Sequence, residues 1–114
     1  MDIKNDNRPW GSFRQFTQNE PSTIKIISVT AGQRLSLQYH LKRSEFWAII
    51  SGNPVITIGE KIEKSKPGEE FFIPVNAIHR IEALENDAQI LEIAFGDFDE
   101  NDIVRIEDSY GRIL

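Results

Sequence analysis

The chain has 114 residues, with 13 lysine and arginine against 18 aspartate and glutamate, a net charge of −5 and a pI of about 5.0. That length fits one domain with a modest core, and the acidic balance argues against a general nucleic-acid or anionic-membrane surface while leaving room for a local basic pocket. The absence of cysteine excludes disulfides and thiolate ligands; with no apolar run near the roughly 18 residues of a spanning helix and no apolar signal core at the N-terminus, a cytoplasmic protein without membrane attachment is expected.

Residues 1–7 are polar and are expected to form a loose tail, with a single domain over 8–114. Residues 24–29 form a β-branched run that contains Lys25. Residues 34–40 alternate, with Leu35, Leu37 and Tyr39 on one face and Ser36, Gln38 and His40 on the other. An apolar strand over 46–50 stops at Ser51-Gly52. Segments 55–58 and 61–64 flank Gly59-Glu60 as a hairpin. Residues 71–73 end at Pro74, and 79–81 and 89–95 supply two further strands. No segment before Asp97 keeps a helical period, and the tail over 97–114 is expected to hold one short helical turn. Many short strands at even spacing predict an all-β fold, a closed barrel or jelly roll, although alternation alone leaves a β-sandwich open.

Gln38 and His40, two apart on a strand, project to one side, and Glu45 and His79 can close a set of divalent-metal ligands around them. The spacing is Gly32, five residues, Gln38, one residue, His40, four residues, Glu45, six residues, Gly52. A second string follows: Gly68, five residues, Pro74, one residue, Asn76, two residues, His79. Together they resemble the two motifs of the cupin superfamily, with Gln38 in place of the usual first His and Asn76 in place of the turn Gly. Asn tolerates positive φ, so the turn is expected to survive.

Beyond these motifs, the chain resembles the C-terminal isomerase domain of type II phosphomannose isomerase / mannose-1-phosphate guanylyltransferase. The resemblance rests on Arg8-Pro9-Trp10-Gly11-Ser12, Arg43–Trp47, Ile73–Arg80, Asp102-Ile103-Val104-Arg105 and Glu107-Asp108-Ser109-Tyr110-Gly111-Arg112. The chain departs from that family at Leu41 and Lys42, where further His residues are usual, and at Phe46. A nucleotidyltransferase half is not expected within 114 residues.

The resemblance implies aldose–ketose isomerisation of a sugar phosphate, typically mannose 6-phosphate to fructose 6-phosphate through an enediol. It implies Gln38, His40, Glu45 and His79 as ligands of a divalent ion, with zinc expected ahead of cobalt, manganese or nickel. Phosphate needs a fixed cation, and an arginine fork suits it; Arg105 and Arg112, then Arg8, are the candidates. Lys25, Arg105 and Arg112 are the candidate catalytic residues, Lys25 for proton transfer. A homodimer is implied by analogy, since cupins often pair through exposed strands.

Each assignment has a plainer counterpart. Lys25 on an exposed face would point to solvent, Arg105 and Arg112 could bridge Glu107 or Asp108, and Gln38 could be a buried hydrogen-bonding amide. Two other functions compete with the isomerase. One is a non-catalytic cupin that binds a sugar phosphate or nucleotide sugar and partners a separate nucleotidyltransferase. The other is a different metal cupin, such as a nucleotide-sugar isomerase or a dioxygenase; the presence of only two histidines argues against the redox iron chemistry of the latter.

Overall fold

The computed structural model describes residues 3–113. Alternation of apolar and polar residues becomes eleven strands in chain order: β1 Lys4–Arg8, β2 Gly11–Gln15, β3 Ser22–Val29, β4 Leu37–Tyr39, β5 Ser44–Ser51, β6 Val55–Ile58, β7 Lys61–Lys64, β8 Glu70–Ile73, β9 His79–Glu82, β10 Ala88–Phe95 and β11 Val104–Glu107. No helix occurs among the described residues, so none is long and apolar enough to cross a membrane.

All strand pairings are antiparallel. Two sheets face each other, one in the order β3-β10-β5-β8 and the other β11-β4-β9-β6-β7, while β1 and β2 form a separate hairpin. Because pairing follows β3 with β10 and β4 with β9, the connections run between sheets and give the jelly roll of the cupin fold.

Period-2 geometry sorts the side chains. On β5, Trp47 and Ile49 point inward and meet Ile90 of β10, Ile56 of β6, Ile73 of β8 and Ile81 of β9 in a buried core. Phe46, on the same strand but one residue out of phase, is buried on the outer face, its ring 4.9 Å from that of Phe16. The core fills one end of the barrel, so the polar inward-facing residues collect at the other.

Two segments differ from the expectation. Residues 4–8 are not loose: they pair from Lys4↔Gln15 to Arg8↔Gly11, and the Arg8 guanidinium lies over the Phe13 ring of β2, cross-strand contacts that the polar 4–8 stretch alone does not advertise. Residues 1, 2 and 114 lie outside the described residues. The tail holds strand β11 rather than a helical turn, since Val104 and Arg105 pair with Tyr39 and Gln38 of β4. Tertiary pairing here overrides a weak local signal. Strand β4 is also shorter than the 34–40 run; Arg34 makes only an isolated bridge to Glu82.

The motif residues have distinct backbone duties. Asn76 adopts φ 70, and its N–H donates to the His40 carbonyl at 2.9 Å, joining the two motifs. Gly52 has φ 82, and a Cβ there would stand 2.3 Å from the Asp87 carbonyl oxygen and 2.9 Å from Ala88 Cα. Both the dihedral and the close approach require glycine. Gly52→Ala is expected to destabilise by at least about 2 kcal/mol, whereas Gly59→Ala, with open space around its Cβ, should cost about 1 kcal/mol; denaturant unfolding of the two variants checks the difference.

Candidate metal centre and pocket

The register across the second sheet aligns Arg105 of β11 with Gln38 of β4, and Gln38 with His79 of β9. Directly opposed residues on neighbouring strands share a face, so Arg105, Gln38 and His79 form a row on one side, with His40 just beyond Gln38. Across the first sheet, Lys25 of β3 opposes Glu92 of β10, and Glu92 opposes Trp47 of β5; the next row carries Glu45 beside Ala94 and Ile73. The site forms where these rows meet.

His40, Glu45 and His79 are buried, and one potential ligand atom from each lies within 4.8 Å of the others. The His79 Nε2 to Glu45 Oε1 distance is 3.4 Å, and His40 Nε2 to Glu45 Oε2 is 3.7 Å. Each imidazole is oriented from behind: His40 Nδ1 lies 2.6 Å from the Asp102 carbonyl and His79 Nδ1 lies 2.8 Å from the Ala77 carbonyl. A carbonyl oxygen only accepts, so Nδ1 carries the proton in both rings and Nε2 presents a lone pair to the cluster. Burial pushes both imidazoles toward the neutral form that a metal requires, His79 down to about 4.

Glu45 Oε1 and His79 Nε2 are buried without a hydrogen-bond partner. Orphaned acceptors of this kind are rare in a folded core, and a divalent cation would satisfy both. The donor set of two imidazoles and a carboxylate is one that zinc and other first-row ions accept. His40, Glu45 and His79 therefore fit a metal. Gln38 shares their face, and its Oε1 accepts a hydrogen bond from Ser36 Oγ.

Sequence reasoning missed two residues here. Arg43 is buried and reaches the cluster: Nε is 3.3 Å from Glu45 Oε2, Nη2 is 3.3 Å from His40 Nε2, and Nη1 donates to the Asp99 carbonyl at 3.0 Å. It stands just before β5, two residues from Glu45 and in phase with it, a signal the alternation rule could have supplied. Glu92 is buried as well, and the Trp47 indole N–H donates to its Oε1 at 3.2 Å. Burial, and then the nearby Glu45 charge, push the Glu92 carboxyl up to about 7. Nothing local to 89–95 marked that glutamate as inward-facing and polar.

A pocket of about 380 Å³ opens onto this chemistry, within the usual span of small-molecule sites. Its wall includes Lys25, Gln38, Arg43, Glu45, Glu92, Arg105 and Arg112. Lys25 thus faces inward, its Nζ 4.1 Å from the centre of the Phe98 ring, and Arg43 stacks on the same ring at 4.5 Å. Arg105 makes no ion pair among the described residues, and its Nε is buried without a partner. Arg112 lines the pocket but is held by Asp108 through contacts of 2.9 and 2.8 Å, which lower the Asp108 carboxyl to about 2. Glu107 pairs instead with Arg34 and Arg80. Arg8 lies elsewhere, at the β1–β2 turn, paired with Asp6 and stacked on Phe13.

Comparison with known proteins accords with this geometry. Residues 3–108 match the family described as Mannose-6-phosphate isomerase C-terminal. The chain is 35% identical over 111 residues to the mannose-1-phosphate guanylyltransferase ManC of Salmonella typhimurium, covering 93% of this chain and 22% of that one. It is 36% identical over 107 residues to the alginate biosynthesis protein AlgA of Pseudomonas aeruginosa, with 92% and 22% covered. The chain thus spans about a fifth of the length of these relatives. Among solved structures, oxalate decarboxylase from Bacillus subtilis superposes with a TM-score of 0.70 at 26% identity over 76% of this chain and 24% of that one. The capsular polysaccharide assembling protein CapF from Staphylococcus aureus gives 0.66 at 22% identity, over 94% and 35%.

Two outcomes follow from the electrostatics. Zinc added to chelator-treated protein should raise Tm, by about 2.7 kcal/mol of stability at a hundredfold excess over Kd, and His79→Ala should abolish the rise. In the metal-free protein, Glu92 has a raised folded pKa, so its folded state retains a proton that the unfolded chain has lost, and stability falls as pH rises from about 4.5 to about 7. Glu92→Gln should therefore stabilise the metal-free fold above pH 7 by on the order of 2 kcal/mol, with the gain vanishing by pH 4.5 in calorimetric unfolding.

Proposed function

The chain belongs to the mannose-6-phosphate isomerase C-terminal family, and from that membership we propose that it is a metal-dependent isomerase of a sugar phosphate, interconverting mannose 6-phosphate and fructose 6-phosphate through an enediol. The observation that carries this reading is that one pocket is lined both by Glu45, a member of the cluster able to hold a metal, and by Arg105, a half-buried arginine without a carboxylate partner among the described residues.

In this reading His40, Glu45 and His79 hold the ion with Gln38 beside them. When bound, the metal supplies a Lewis acid that stabilises charge on the sugar oxygens. The chain's own residues do the rest. Arg105, half-buried and unpaired, fixes the phosphate. Arg112 is a weaker candidate because Asp108 already engages its fork. Lys25 lies across the pocket beside Phe98 and faces the sugar oxygens. The apolar wall of Ile27, Leu35 and Trp47 limits water around the reacting carbons. The edge strand β3 carries exposed Ile24 and Ile26, which supports a homodimer through that face.

One observation favours a second reading. Arg43 already satisfies His40 Nε2 and Glu45 Oε2, so the centre is compensated in part by a guanidinium, as a sugar-phosphate binding domain without turnover would allow.

A coupled assay on mannose 6-phosphate with zinc, cobalt, manganese or nickel decides between them. Turnover that is lost on chelation supports the isomerase; calorimetric binding of the sugar phosphate with no turnover under any of these metals supports the second reading. In the active protein Arg105→Ala should raise KM by about 10- to 100-fold, on the scale of a lost charge-assisted contact, and Arg112→Ala by less.

A further inference from the structure

We propose that Glu92 is the base that carries the carbon-bound proton between C1 and C2, with Lys25 moving the oxygen-bound proton opposite it; the proposal rests on the isomerase reading. Glu92 is a buried carboxylate on the pocket wall, in the middle of the row Lys25, Glu92, Trp47. As a contribution to stability it makes little sense: a second carboxylate near Glu45, taken out of water, opposes folding unless it is fully compensated. It makes no ion pair within 4 Å among the described residues, and its neighbours orient it. The Trp47 indole fixes one oxygen, and the same indole is packed edge-on against His79, with centroids 5.4 Å apart.

The other acidic group in the cluster is already committed. Glu45 faces Arg43 with one oxygen and His79 with the other. Glu100 also lines the pocket but sits on an exposed turn. Lys25 directly opposes Glu92, which sets the two side chains about 5 Å apart at Cβ, a spacing that lets them address adjacent carbons of one substrate.

The step balances without an external reagent. Glu92 takes the C2 proton, the C–H electron pair forms the C1–C2 double bond, and the former carbonyl electrons move to O1, which takes a proton from the Lys25 ammonium. The enediol then collapses: O2 returns a proton to Lys25, C2 becomes the carbonyl, and C1 receives the proton held by Glu92. C1 is reduced and C2 oxidised by the same electron pair.

The test uses the 114-residue chain loaded with the metal that supports turnover, comparing the unaltered protein with Glu92→Gln. Three readouts are taken: kcat and KM, zinc affinity by calorimetry, and deuterium entry from heavy water at C1 of fructose 6-phosphate. The expected result is a 10²- to 10⁴-fold loss of kcat and of deuterium entry, with KM and zinc affinity within about threefold of the unaltered protein. A Glu92→Gln protein that keeps kcat and exchange within threefold overturns the assignment and leaves the isomerase reading standing. A loss of kcat that is matched by an equal loss of zinc affinity also overturns it, since Glu92 would then act by shaping the metal centre. An unaltered protein with neither turnover nor exchange overturns the isomerase reading and this assignment with it. If Glu92→Gln does not fold, Glu92→Asp decides: a 10- to 100-fold drop in kcat at constant KM supports the base, and an unchanged kcat overturns it.

Discussion

Glu45 is a carboxylate almost wholly removed from water, and the architecture around it is the set of arrangements that make that burial tolerable. An isolated buried charge of this kind would cost several kcal/mol. Arg43 answers one oxygen; the other has no donor and faces the lone pair of His79 Nε2, an opposition that a bound cation would relieve. The two imidazoles point the right way only because Asp102 and Ala77 supply carbonyls behind them. The Ala77 carbonyl stands where it does because the turn from Pro74 bends at Asn76 with positive φ and ties back to His40. The metal centre and the second turn are thus one mechanical unit.

The segment after β10 completes the pocket rather than trailing from it. The Asp102 carboxylate accepts from the Leu41 and Lys42 N–H groups while its carbonyl holds His40. Phe98 lies against both Lys25 and Arg43, and Arg105 enters the row through β11. This accounts for two of the departures from the family pattern. At 41 and 42 it is the backbone that contacts Asp102, and the Leu41 side chain is largely exposed. The third departure, Phe46, packs on the outer face against Phe16, away from the pocket.

Charge in the pocket is divided by sheet. The β11-β4-β9 row brings Arg105 and Gln38 beside His79, while the β3-β10-β5 row brings Lys25 and Glu92 against Trp47. The metal ligands come from both sides: His40 and His79 from one sheet, Glu45 from the other. The region resists being read as a stability device, because two nearby carboxylates and two neutral imidazoles leave acceptors unmet. Local destabilisation of that kind concentrates at functional sites.

The sequence by itself determined the strand pattern between residues 22 and 95, the inward direction of Gln38 and His40, and the family. Period-2 alternation and motif spacing are local properties, and they carry through folding except at the start of the 34–40 run, where the strand begins only at Leu37 and Leu35 packs on the core. Tertiary structure alone decided the rest. Residues 4–8 became a strand because β2 was available to pair with them, and the tail became β11 because β4 offered an open edge. Lys25 was ambiguous in a run of isoleucines until pairing with β10 turned it inward, while Arg112, ranked with Arg105 as a motif residue, and Arg8, ranked after them, were separated from Arg105 by the acids they met, Asp108 and Asp6. Glu92 had no motif at all: its burial beside Trp47 is a fact of register between distant strands, and register is set by the packing of the whole sheet rather than by any residue's neighbours in the chain.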